Sequence, residues 1–127
     1  MDQRQFVDAL KAQTAEAAAE DTLRQWELPS GRLRSQGQVE QANWVAGLSE
    51  LDRRMVKALV AETAQATLFG VLCVLDGARR IDASDDAHFE LTRVEAGKPT
   101  LLARSDFGAP VLLHELLQCP QWVESRH

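Results

Sequence analysis

Glu62 is the residue whose position most invites chemistry. It stands just ahead of the most apolar run of the chain, "AETAQATLFGVLCVLDGARR" at 61–80. At 100° per residue, a helix through this region places Glu62 between Met55 and Phe69, in the middle of an apolar face. That spacing points to a carboxylate within the apolar face or at the edge of a groove. A buried carboxylate is costly unless it is paired, and otherwise tends to take up a proton. Three uses follow: an ion pair with an arginine of the later loop or hairpin, a polar pocket, or general acid–base work. A pocket there has Thr63 or Thr67 beside it and can draw in His88, His114 or an arginine.

Other reactive residue types form no recognisable constellation. His88, His114 and His127 lack ligand spacing, and no His-Glu-x-x-His motif occurs. Cys73 and Cys119 sit in "VLCVL" and "LLQCP", without Cys-x-x-Cys spacing. They read as buried, unreactive free thiols of a reducing compartment, hence a cytoplasmic protein. There is no nucleophile elbow, Walker loop or dinucleotide fingerprint. No catalytic residue, metal or cofactor is therefore assigned, and the balance leans away from an enzyme.

Binding offers more. The loop "GARRIDASDDAH" carries Asp82, Asp85 and Asp86 but lacks the glycine-centred pattern of a calcium loop. It reads as a solvated acidic loop suited to steering a basic partner. Trp26, Trp44 and Trp122 lie near helix ends or in short segments, where aromatics either cover a core edge or act as binding hot spots. Trp122, in "CPQWVESRH", is the one expected to face a partner. The candidate binding residues are Glu62, Asp82, Asp85, Asp86 and Trp122.

The whole chain sets bounds on these readings. Its 127 residues suit one domain, with a helical segment at 1–28 and a main core at 43–118. A formal charge of −5 argues against a phosphate-gripping nucleic-acid binder, although Arg53, Arg54 and Lys57 form a local basic patch. The opening "MDQRQFVDAL" lacks a signal peptide's basic start and apolar run. The uninterrupted stretch 66–75 is half the ~20 residues of a spanning helix, so no membrane segment is expected.

The elements that would position these residues can be read from capping and periodicity. Asp2 can cap a first helix whose face carries Phe6, Val7, Leu10, Thr14, Ala17 and Ala18. Leu23 and Trp26 fall off that stripe, implying a bend near Asp21 or a new turn at Thr22. Residues 30–40 read as a loop, and a short helix follows around Trp44 and Val45, stopped by Gly47. "SELD" at 49–52 starts a long helix of roughly 49–76. Its expected core face is Leu51, Met55, Leu59, Ala66, Phe69 and Cys73, flanked by Val56 and Val60, with Gly77 as its left-handed cap; a buried strand after Gly70 is the alternative. "HFELTRV", "EAGKP" and "TLLAR" predict a β-hairpin with Phe89 and Leu91 buried. "PVLLHELLQ" predicts a last helix with Pro110 in its first turn and His114 on its polar side. The sum is a mostly helical α+β domain with a long central helix and a small antiparallel β-hairpin sheet.

The segments "NWVAGLSELDRRMVKALVAETAQATLFGVLCVLDG", "FELTRVEAGKPTLL" and "LLHELL", within 43–118, resemble small uncharacterised bacterial α+β proteins. Some small acidic proteins of that kind are immunity partners that block a toxin. The resemblance implies an immunity-protein-like binder without assigning any residue to the task. Together with size and acidity, it leads to the expectation of a non-enzymatic protein that binds another protein. The alternative is a small-molecule binder or minor enzyme with a pocket around Glu62. A homodimer is compatible with both.

Overall fold

The computed structural model describes residues 1–27 and 34–117; Cys119 and Trp122 lie outside them. The elements are α1 (Gln3–Lys11), a turn of π-helix (Ala12–Glu16), α2 (Ala17–Glu27), α3 (Gln36–Ala46), α4 (Glu50–Asp76), β1 (Glu90–Glu95), β2 (Lys98–Arg104) and α5 (Leu113–Leu117). The chain is a mostly helical α+β protein with one long helix and one two-stranded antiparallel sheet, as its patterning predicts. Contacts cluster in two compact units, one of residues 12–65 and one of residues 1–11 with the chain from 66 onward. The chain passes from the first to the second within α4.

In the helical unit, the π turn accounts for the broken stripe. A π turn carries one more residue than an α turn, so the buried face slips by one position. Ala15 and Ala19 are buried, not Thr14 and Ala18. Continuing from Ala19 at helical spacing, Leu23 and Trp26 return to the inner side. The slip occurs at 12–16, and no break occurs at Asp21. Helix α3 starts earlier than expected, because Ser35 and Gln38 form a reciprocal capping box. Residues 36–40 are therefore helical, not loop. Ser49 caps α4 by accepting from the Asp52 N–H at 3.1 Å.

The first half of α4 corrects the expected core face. Val56, Val60 and Ala64 form the half-buried side, whereas Leu51, Met55, Leu59 and Ala66 are exposed. Glu62 lies on that open side, so it is an exposed carboxylate and not a buried one. α2 and α3 flank the Val56–Val60 side and leave the Leu51–Met55–Leu59 side uncovered. Helix α4 is also the one described helix long and apolar enough to cross a membrane by length and composition. Counting only the unbroken run 66–75 hid this, since Glu62 is the one charge between Ala58 and Leu75.

The second unit has the denser core. Val7, Leu68, Leu72, Cys73, Leu102, Ala103, Leu113 and Leu117 are buried there. Asp2 and Gln5 cap α1 reciprocally. The Gln3 side-chain amide donates to the carbonyls of Leu102 and Val111, at 2.8 and 2.6 Å. Helix α4 runs through Gly70 without becoming a strand, and Arg79 lies over that glycine. Gly77, at φ +86°, ends it. Ala96 and Gly97, both at positive φ, make the two-residue hairpin turn. A bulge opposite Leu91/Thr92 leaves Leu102 as the extra residue, which lets Leu102 and Ala103 both point inward. Leu91 is half-buried, but Phe89 precedes β1 and is exposed, contrary to expectation. Helix α5 begins at Leu113, so Pro110 lies outside it.

Candidate functional site

Three arrangements carry polar or apolar groups that the fold does not simply absorb. The largest is a groove of about 540 Å³ in the helical unit. α2 supplies Leu23 and Trp26, α3 supplies Trp44 and Val45, and α4 supplies Val56, Leu59 and Val60. Each arrives there for a local reason already given: the π slip turns Trp26 inward, the Ser35 box sets the rotation of α3, and Ser49 fixes the start of α4. Trp26 and Trp44 meet edge to face, with centroids 6.1 Å apart and planes at 70°. Such a pair contributes about 1 kcal/mol beyond its buried area. Both rings nevertheless remain open to solvent, Trp26 at 37% and Trp44 at 52%.

The groove is apolar in its floor and polar at its margin. Thr22, Glu27, Arg53 and Lys57 are its polar lining residues. The side chains of Arg53 and Lys57 make no ion pair or hydrogen bond among the described residues. No histidine, cysteine or serine lines the groove. What it can do is receive apolar side chains. In this unit only Ala15, Ala19 and Val45 are buried among the described residues, while Val39, Trp44, Leu51, Met55 and Leu59 are exposed. The apolar surface continues from the groove along α4 through Leu59 to Met55 and Leu51.

The second arrangement is a smaller, polar cleft of about 280 Å³ in the other unit, between the loop after α4 and the turn after β2. Asp82 and Asp85 line it, and Asp86 does not. Arg80 donates to Asp85 at 3.1 Å and to the Ser84 carbonyl at 2.9 Å, and Asp82 accepts from the Ser84 N–H at 3.0 Å. Two of the three loop carboxylates are thus engaged within the loop, and all three are exposed. Asp106, which also lines the cleft, accepts from Arg104, which does not, through Nε at 3.0 Å and Nη2 at 2.8 Å. His88 lies 2.9 Å from Glu90. The hydrogen bond from His88, and then the Arg104 charge, hold the Glu90 carboxyl below the usual carboxylate range. The Arg104 hydrogen bond does the same for Asp106.

The third is a pair missed by sequence reasoning. Asp76 is fully buried; its Oδ2 accepts from the backbone N–H of His114 and lies against the ring Nδ1, each at 2.7 Å. The His114 ring meets Phe69 edge to face at 5.6 Å. Asp76 Oδ1 is buried without a hydrogen-bond partner among the described residues. By type and spacing alone Asp76 reads as the end of a helix and His114 as a polar-face residue. The signal was present: Asp76 continues the Leu68–Leu72 spacing by one further turn. Cys73, one turn before it, is buried, and burial pushes its thiol pKa up, which suits a protonated, unreactive group.

The residues singled out from sequence are therefore dispersed. Glu62 is exposed on α4 and lines neither cavity. Asp82 and Asp85 share the polar cleft, and Trp122 lies outside the described residues. Trp26 and Trp44, treated above as one class with Trp122, are the two that come together. No group of three or more histidine, cysteine, aspartate or glutamate side chains among the described residues is placed to hold a metal. Comparison with family models, curated proteins and solved structures finds no match, which leaves this geometry as the ground for a functional reading.

Proposed function

We propose that this chain works by binding another protein, as an adaptor or immunity-type partner, and that the groove between α2, α3 and α4 is where it does so. The observation that carries this reading is the open Trp26–Trp44 pair over an apolar floor. Exposed tryptophans beside aliphatic side chains are the composition of an interface hot spot. A helical unit with so few buried residues gains more from a covering partner than the denser unit does. The rival reading, a small-molecule pocket around Glu62, loses its support, because Glu62 is exposed and borders neither cavity.

The test is a capture experiment with two versions of the full chain. Tagged wild-type protein and Trp44→Ser are incubated with lysate of the source cell, washed, and the retained proteins identified by mass spectrometry. A stoichiometric partner held by the wild type and lost by Trp44→Ser is expected. No partner, or one held equally by both, overturns the assignment to the groove.

A further inference from the structure

The groove's margin carries information about what covers it. Its floor is apolar, but the α4 side is edged by Arg53 and Lys57, one turn apart, and Arg54 stands next to them in the chain. None of these three side chains has an ion-pair or hydrogen-bond partner among the described residues. This is an unneutralised basic edge on a chain whose net charge is −5. Glu27 is the one carboxylate of the lining. Resting on the reading that the groove binds protein, we infer that its occupant is an amphipathic helix whose apolar stripe is flanked by acidic residues.

Three features support that occupant. The lining on α4 runs from Arg53 to Val60, about 10 Å of helix rise, which matches two turns of a partner helix. Helix-in-groove recognition places apolar anchors at i, i+3/i+4 and i+7 into such a floor. Acidic flanks then meet Arg53 and Lys57 at the rim, where opposite charge favours encounter and register. A second copy of this chain fits less well. A two-fold axis across the groove would bring the same basic edge of each copy together, and one along it would set the two lining cations against the one lining carboxylate, Glu27. The acidic loop at 82–86, which suggested a basic partner, belongs to the other unit, and Asp82 and Asp85 are already engaged there.

The experiment uses the full chain and two synthetic fluorescein-labelled helical peptides. They share one leucine stripe and differ only in carrying glutamates or lysines on its flanks. Anisotropy titrations at low and high salt give the two affinities. The glutamate peptide is expected to bind about five- to tenfold tighter at low salt, the effect of roughly two exposed ion pairs. That preference should shrink at high salt. In Arg53→Glu/Lys57→Glu, both positions being exposed, the preference should reverse with the circular dichroism spectrum unchanged; Arg53→Gln/Lys57→Gln should merely abolish it. Equal binding of both peptides, lost in Trp44→Ser, overturns the acidic occupant while leaving the groove as a docking site. Peptide binding indifferent to Trp44 overturns both. Failure of either peptide to bind, with decanoate binding instead, assigns the groove to a small amphiphile and overturns both as well.

Discussion

His114 donates its backbone N–H, and presents Nδ1, to one and the same oxygen of Asp76, both at 2.7 Å across 38 positions of sequence. The contact joins the last turn of α4 to the start of α5. It fixes the imidazole with Nδ1 toward the carboxylate, and Phe69 closes one side of the ring. A carboxylate at 0% exposure has no water to fall back on, so its stability rests on these two bonds.

Breaking that pair from one side should therefore be severe. His114→Ala leaves the Asp76 carboxylate buried and short of a donor, and a loss of about 3 kcal/mol is expected. Asp76→Asn, which keeps an acceptor oxygen, should lose less. Asp76→Leu/His114→Leu should recover part of the loss, since no uncompensated polar group remains. Urea unfolding of the three variants at neutral pH measures the order, and equal stability of His114→Ala and wild type would contradict the pairing.

Two glycines of positive φ separate backbone strain from steric exclusion. At Gly77 an added Cβ would collide with the Ser105 carbonyl, whereas at Gly97 nothing lies within 4 Å. Gly97→Ala should lose only the left-handed penalty, about 1 kcal/mol, and Gly97→Asn less. Gly77→Ala must also push β2's following turn away from the end of α4, and a loss well beyond that of Gly97→Ala is expected. Thermal unfolding of the two alanine variants side by side gives the comparison.

Arg104 ties the hairpin's polar face together. It holds the Asp106 carboxyl pKa down chiefly by hydrogen bonding, and it lowers that of Glu90 by its charge, after the larger effect of His88. A carboxyl whose folded pKa is lowered contributes stability above its unfolded value, lost as pH falls through the folded value. Arg104→Met should therefore raise both titration midpoints in carbon-detected NMR. Its stability deficit against wild type should be present at neutral pH and shrink on acidification below the ordinary carboxylate range. A deficit that grows toward acid would refute this origin.

How much of this was legible in the sequence depended on whether the signal was local. Asp2, Ser49, Gly77 and the Ala96–Gly97 turn act on their own backbone within a few residues, and each does in the structure what its type and spacing predict. The α3 start was missed although Ser35 and Gln38 spell a capping box, because Gly37 inside it suggested a loop. The π turn was not legible: "AQTAE" gives no sign that one residue will be inserted, and the insertion shifts the face on which Leu23 and Trp26 lie to the groove side. The Asp76–His114 pair depends on a contact over 38 positions, which periodicity on α4 hints at but does not name.

The choice of the open side of α4 is the sharpest case, and it yields the last prediction. Apolar periodicity on α4 identifies a stripe, Leu51–Met55–Leu59, without saying whether anything lies over it. In the structure α2 and α3 take the Val56–Val60 side, so Met55 is 59% and Leu59 65% exposed. Met55→Glu and Glu62→Leu should therefore each change stability by no more than about 0.5 kcal/mol, as surface substitutions do. Leu72→Ala, on the buried side of the same helix, should lose about 3 kcal/mol or more. Chemical denaturation of the three variants decides it. A large loss in Met55→Glu, or a marked gain in Glu62→Leu, would mean that this stripe is covered in the isolated chain. The first outcome would also remove Leu51 and Met55 from the surface that extends the groove.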